Sequence, residues 1–286
     1  MSIRTRFFQL VLVFCLVAGG WLGGNPTQQT GPGEARGYQP DLTEIANQLA
    51  AQGESLNRAI VRTESRVFSP TSQERGMETP SLQKGDGFKQ IIYWEKNKFL
   101  AIETHDLDGK PLYLYFEEKG VVRSGPINSR GKDFSQMDLL HPGLAFLENR
   151  PEGFFRRLAK WGIFPTDVRL ERAPNRLLTF RLFDQDDGAL WLDNETLAPQ
   201  KLEVNALGDE SPLHIVVLLN DPLRIGLSRQ PEQNAVFPGK VSVLFNGRLI
   251  KQTVVTGIDD QVKANDMPYE RLKEAASRLP EENPAQ

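Results

Sequence analysis

The sequence predicts a mainly β chain folded as one antiparallel domain, with helices covering one face of its sheet. Three observations carry this reading. About ten to twelve short alternating runs are separated by turn residues. One of them, FPGKVSVLFNGRLIKQTVVTGI from Phe237 to Ile258, is a one-sided hairpin around Asn246-Gly247, a pair that tolerates positive φ at both central positions of a type I′ turn. Helical spacing falls outside the strand runs, in a stretch before the strands, another between their two groups and a short one at the end.

Taken in order, the chain opens with Arg4 and Arg6 ahead of an apolar run from Phe7 to Ala18, then small residues. This reads as a secretory signal peptide over residues 1–24, cleaved near Gly20 or Gly24; the run is short for the roughly 20 residues that span a bilayer, and an uncleaved inner-membrane anchor is the alternative, since Trp21 interrupts the small residues. Cys15, the single cysteine, lies inside the run behind Phe14, where a lipoprotein signal wants a small residue. Residues 25–40, rich in Pro, Thr, Gln and Gly, read as a flexible linker, and 41–280 as a single domain with a disordered tail at 281–286.

Asp41 followed by Glu44 is a helix start, and Leu42, Ile45, Leu49, Leu56 and Ile60 fall near one face, so a helix is expected over 41–60. A first strand follows over 61–68, then a polar loop over 69–87. Four strands form a meander over 88–125, turned in the middle by Asp108-Gly109. Residues 134–161 have helical spacing broken by Pro142 and Pro151, which predicts two or three short helices. Strands return at 167–171 and 176–184, then DQDDG as a turn, then a hairpin over 189–205. Residues 213–219 read as a buried strand, 221–234 as a loop, and 269–279 as a terminal helix. In the hairpin at Asn246-Gly247, a two-residue loop pairs Phe245 with Arg248, Val243 with Ile250 and Val241 with Gln252, and on the other face Leu244 with Leu249 and Ser242 with Lys251. Its dry face needs a cover of helices, a second sheet or a ligand.

The net charge of −3 and a pI near 5.8 leave no basic field for nucleic acid. The three histidines, His105, His141 and His214, have no metal-ligand spacing, and no nucleophile elbow is present. Glu103, His105, Asp106 and Asp108 flank a turn, where acidic residues belong; Asp184, Asp186 and Asp187 lack the glycine and glutamate spacing of a calcium loop. The expectation is a non-enzyme with no cofactor and no metal.

The runs GALWLDNETLAPQKLEV and FPGKVSVLFNGRLIKQTVV carry a family likeness through Trp191, Asp193, Thr196 and Pro199, then Phe237, Pro238, Val241 and Val243. They resemble the periplasmic lipoprotein carriers and outer-membrane lipoprotein-sorting proteins of the LolA-like superfamily. The resemblance implies an incomplete, half-open antiparallel β-barrel of about eleven strands with helices over the concave face as a lid. It also implies an apolar cavity for an acyl lipid or lipoprotein, in a protein of the Gram-negative periplasm. Trp94, Phe99, Leu114, Phe116, Trp191, Val243, Phe245 and Ile250 are the expected lining, with an envelope membrane protein as a further partner. The other reading is a structural or regulatory module of an envelope complex, its cavity filled by its own side chains.

Overall fold

The computed structural model describes residues 41–68, 87–127, 140–172, 178–184, 188–207, 212–226, 228 and 234–282. The expected signal peptide, linker, most of the 69–87 loop, Asp186, Asp187 and the end of the tail lie outside them. The elements below belong to the unit Gln39–Pro280.

Helix α1 (Leu42–Gln52) starts as expected: the Asp41 carboxylate accepts the Glu44 N–H at 2.8 Å, and Ile45, Ala46, Leu49 and Ala50 form its buried stripe. It is shorter than the spacing suggested. The helix stops at Gly53, whose N–H already bonds back to Leu49, so Leu56 falls beyond it and Ile60 lies in strand β1 (Arg58–Val67).

Strands β2 (Gly87–Glu95), β3 (Phe99–Asp106), β4 (Pro111–Glu118) and β5 (Val121–Pro126) form the expected meander. The second half holds β6 (Asp167–Arg172), β7 (Leu178–Phe183), β8 (Gly188–Asp193), β9 (Pro199–Leu207), β10 (Pro212–Ile225), β11 (Ala235–Phe245) and β12 (Arg248–Asp259). All twelve join one sheet in the order β5-β4-β3-β2-β1-β12-β11-β10-β9-β8-β7-β6, so two meanders meet where β1 pairs antiparallel with β12. β5 and β6 are the free edges and the barrel is half-open.

Two sequence expectations are corrected by backbone irregularities. A bulge between Val243 and Leu244 sets Val243 against Lys251, Ser242 against Gln252 and Val241 against Thr253, leaving Phe245–Arg248 and Leu244–Leu249 of the five expected pairs. Strand β10 runs on through the expected loop to Ile225, because Asp221 adopts φ +53° and the pairing with β11 resumes at Pro222–Pro238.

Each face has its own cover. The outer face of β2–β4 carries helix α3 (Tyr269–Ala276), whose Leu272 and Ala276 pack on Tyr93, Phe99, Leu114 and Phe116. Arg271 clamps it with two hydrogen bonds, of 2.7 and 2.8 Å, to Glu103, which also accepts one from the Tyr93 hydroxyl. The inner face is covered by α1, a 3₁₀ turn (Pro142–Leu147) and helix α2 (Pro151–Ala159). Residues 134–139 of the expected helical segment are outside the described set.

Candidate functional site: the covered inner face

Alternation along the strands gives the inner face its character. Leu182, Leu190, Leu192, Leu202, Ile215, Val217, Val241 and Val243 come from β7–β11, and Val61, Ile92, Trp94, Leu100, Ile102 and Tyr115 from β1–β4. The 3₁₀ turn enters both clusters, with Leu144 and Leu147 on one and Ala145 and Phe146 on the other; α2 adds Phe154 and Leu158, and Trp161 follows it. The cover is apolar toward the sheet apart from two buried polar groups.

The first is a buried ionic latch. Arg157 of α2 is 6% exposed and donates to Glu117 of β4 at 2.6 Å and to Glu148 at 2.9 Å. Lys160 sits 3.3 Å from the same Glu117 oxygen and donates at 2.6 Å to the Tyr115 hydroxyl, which in turn donates at 2.8 Å to Glu117. Burial alone pushes the Glu117 carboxyl up, yet Arg157 and Lys160 more than offset it and hold it at about 2. The Arg157 guanidinium is fixed in its charged form, Glu117 and Glu148 outweighing the cost of its burial. Two carboxylates therefore face two cations, and α2 is tied to the N-terminal meander while its apolar side lies on the C-terminal one.

Beside the latch lies a second polar group. His141, 4% exposed, caps the 3₁₀ turn: its Nδ1 accepts the Gly143 N–H at 3.1 Å, and its ring stacks on Phe237 at 4.6 Å. Burial, and then the charge of Lys251, push its pKa down to about 3. The turn can come this close only because residue 143 is glycine: a Cβ there would sit 2.6 Å from the Phe237 ring. Gly143→Ala is expected to cost about 1–3 kcal/mol by forcing Phe237 and His141 apart. Urea unfolding measures it, and an unchanged midpoint would mean the turn does not bear on Phe237.

Among the described residues the inner face is filled by the cover. Two voids lie beneath the cover, each with about 10 Å³ of room for a water-sized sphere, the first lined by Leu144, Arg157 and Trp161 and the second by Gln90, Val243 and Lys251. Both meet His141. That is about one water, far below the roughly 300 Å³ at which small-molecule pockets begin.

Of the eight residues expected from sequence to line the cavity, Trp94, Val243, Phe245 and Ile250 lie on the inner face. Phe99, Leu114 and Phe116 lie on the other face beneath α3, because alternation in β3 and β4 gives the inner positions to Leu100, Ile102 and Tyr115. Trp191 also points outward, between Leu190 and Leu192 of the core, with the Lys201 ammonium 3.7 Å and the Arg181 guanidinium 5.1 Å from its ring. Of the acidic residues at the Asp108-Gly109 turn, Glu103 is bound by Arg271, and Asp106 accepts the Lys110 N–H at 2.8 Å. The latch residues, His141 and Lys251 were not among the expected site residues.

No family model matches the chain, and no curated protein matches it. In fold it resembles an outer-membrane lipoprotein-sorting protein domain from Vibrio parahaemolyticus, at 12% identity over 81% of this chain and 97% of that one, with a TM-score of 0.49. A LolA-superfamily protein from Nitrosomonas europaea is similar at 9% identity, over 77% of this chain and 94% of that one, with a TM-score of 0.47. A DUF1329-family protein from Desulfovibrio piger is similar at 9% identity, over 80% and 98%, with a TM-score of 0.38.

Proposed function

We propose that this chain is a non-catalytic periplasmic binding protein. It takes an acyl chain of a lipid or lipoprotein between the inner face of the half-barrel and the helical cover, as a carrier or envelope sensor. The observation that supports this most is the way the cover is attached: apolar contact over the sheet, and one polar latch from Arg157 and Lys160 to Glu117. Apolar contact is non-directional and can be exchanged. Burying Leu144, Phe146, Leu147, Phe154, Leu158 and Trp161 contributes about 1.5–3 kcal/mol each, and an acyl chain of about a dozen methylenes contributes about 0.8 kcal/mol for each one buried. The side chains give about 9–18 kcal/mol and the acyl chain about 10 kcal/mol, so an acyl chain can offset much of what the cover contributes on the sheet.

The filled inner face supports a second reading, an envelope interaction module whose cover never lifts. Titration with a dansyl-labelled undecanoic acid separates the two. A carrier gives saturable fluorescence that hexadecanoate displaces, and Arg157→Leu, by releasing the latch, tightens probe binding at least tenfold, since apparent affinity scales with the fraction of open molecules. Absence of binding to both the wild-type protein and the latch variant would reject the carrier in favour of the module.

A further inference from the structure

Beneath the 3₁₀ turn the apolar inner face is interrupted by polar side chains from the strands and the cover. Gln90, His141, Lys251 and Thr253 line one void together with Leu140, Trp161, Val241 and Val243. Gln90 is 3% exposed and Lys251 8%, so neither is a surface residue that happens to face a cleft. Ser65 and Thr63 of β1 adjoin them through the pairing of Ser65 with Thr253 and of Thr63 with Gln90. A core of this kind normally satisfies its polar atoms, because each one left unpaired costs about 1–3 kcal/mol. Two atoms of this group have no hydrogen-bond partner among the described residues, His141 Nε2 and Thr63 Oγ1.

His141 Nδ1 accepts the Gly143 N–H, so in the neutral ring the proton sits on Nε2, and the unpaired atom is a donor. Lys251 brings a cation, and among the described residues no carboxylate lines either void. The Ser65 and Thr253 hydroxyls, 2.8 Å apart, need only one proton between them and keep the other for a guest. An unpaired N–H donor with a lysine cation lining the same void suits an oxygen that accepts hydrogen bonds, and disfavours a cation.

We propose that this cluster is the head-group subsite of the cavity: it receives the acyl carbonyl oxygens, as a carboxylate or an ester, of an amphiphile whose tail lies along Val241, Val243 and Trp161. This rests on the acyl-binding reading and adds polarity and direction to it. The His141 Nε2–H and Lys251 hold the oxygens, and the Thr63 hydroxyl lies on the strand beside Gln90 to share them.

The test compares hexadecanoate, its methyl ester and hexadecanol as competitors for the dansyl probe. It uses the full chain as wild type, His141→Asn, which keeps an oxygen to cap Gly143, and Thr63→Val, which keeps the shape. The wild-type protein is expected to bind hexadecanoate at least tenfold more tightly than hexadecanol. His141→Asn should reduce that ratio to threefold or less, weakening hexadecanoate more than hexadecanol, and Thr63→Val should reduce it by a smaller factor. The methyl ester identifies the form: affinity near that of the carboxylate means an esterified acyl group, and affinity near that of the alcohol means a free acid. Equal binding of all three by the wild type, or a ratio that survives His141→Asn, would overturn the subsite and leave the acyl cavity standing. Failure of all three to bind would overturn both.

Discussion

Arg157→Leu is expected to lower the stability of the protein by about 3–5 kcal/mol, the largest effect of any single substitution in the cover. The substitution removes the side chain that lies 2.6 Å from Glu117 and 2.9 Å from Glu148, and leaves the Glu117 carboxylate buried with Lys160 as its remaining cation. A buried charge that has lost its partner cannot recover its hydration without opening the structure, and here the cheapest opening is displacement of α2 from β4. In a domain of this size the loss amounts to about 6–20 °C in Tm. A double-mutant cycle with Glu117→Gln isolates the latch: a neutral amide in place of the carboxylate needs no counter-charge, so the two losses should fall short of adding by about 1–3 kcal/mol. Additivity within about 0.5 kcal/mol would show that the two side chains do not act as one network, and the latch would have to be abandoned.

Much of this architecture is legible in the sequence because its signals are local. The Asn246-Gly247 turn, the Asp41 cap and the strand alternation of residues 88–125 each depend on neighbours in the chain, and each appears where expected. The lid position follows from Pro142 and Pro151, which permit a helical turn to start and not to continue.

The site was less legible because alternation assigns residues to two faces without naming them. Nothing in PLYLYFEE says whether Tyr115 or Phe116 looks inward, and an amphipathic α3 supplied the outer face with its own dry cover. A signal was nonetheless present. Arg157 falls on the same helical stripe as Phe154 and Leu158, and Glu117 shares the alternate face of Tyr113 and Tyr115. A charge at a core period in two segments is the mark of a buried ion pair, and it points to the face that both share. The register error in the hairpin had no such mark, because a bulge follows from the sheet around it.

Acidification should weaken this fold earlier than its carboxylates alone would allow, and His141 is the reason. Its folded pKa, about 3, lies below the ordinary imidazole value of 6.5, owing first to burial and then to Lys251. Between these values the unfolded chain binds a proton that the folded chain refuses, so the contribution is fully present above pH 6.5 and is lost as pH falls toward 3. Protonation would also turn Nδ1 into a donor facing the Gly143 N–H and undo the cap of the 3₁₀ turn. The linkage amounts to about 2 kcal/mol between pH 7 and 5 and about 3 kcal/mol by pH 4. Glu117, held at about 2 against an ordinary 4.5, follows the same sign in a lower window, between 4.5 and 2, and contributes little above pH 5. Urea unfolding at pH 7 and pH 5 separates the two groups. The wild-type protein should lose about 2 kcal/mol and His141→Asn less than about 0.5 kcal/mol, so that the two stability curves converge on acidification. Parallel curves for the two proteins would show that His141 is protonated in the folded state, and that the donor beneath the cover is not the neutral Nε2–H on which the head-group subsite depends.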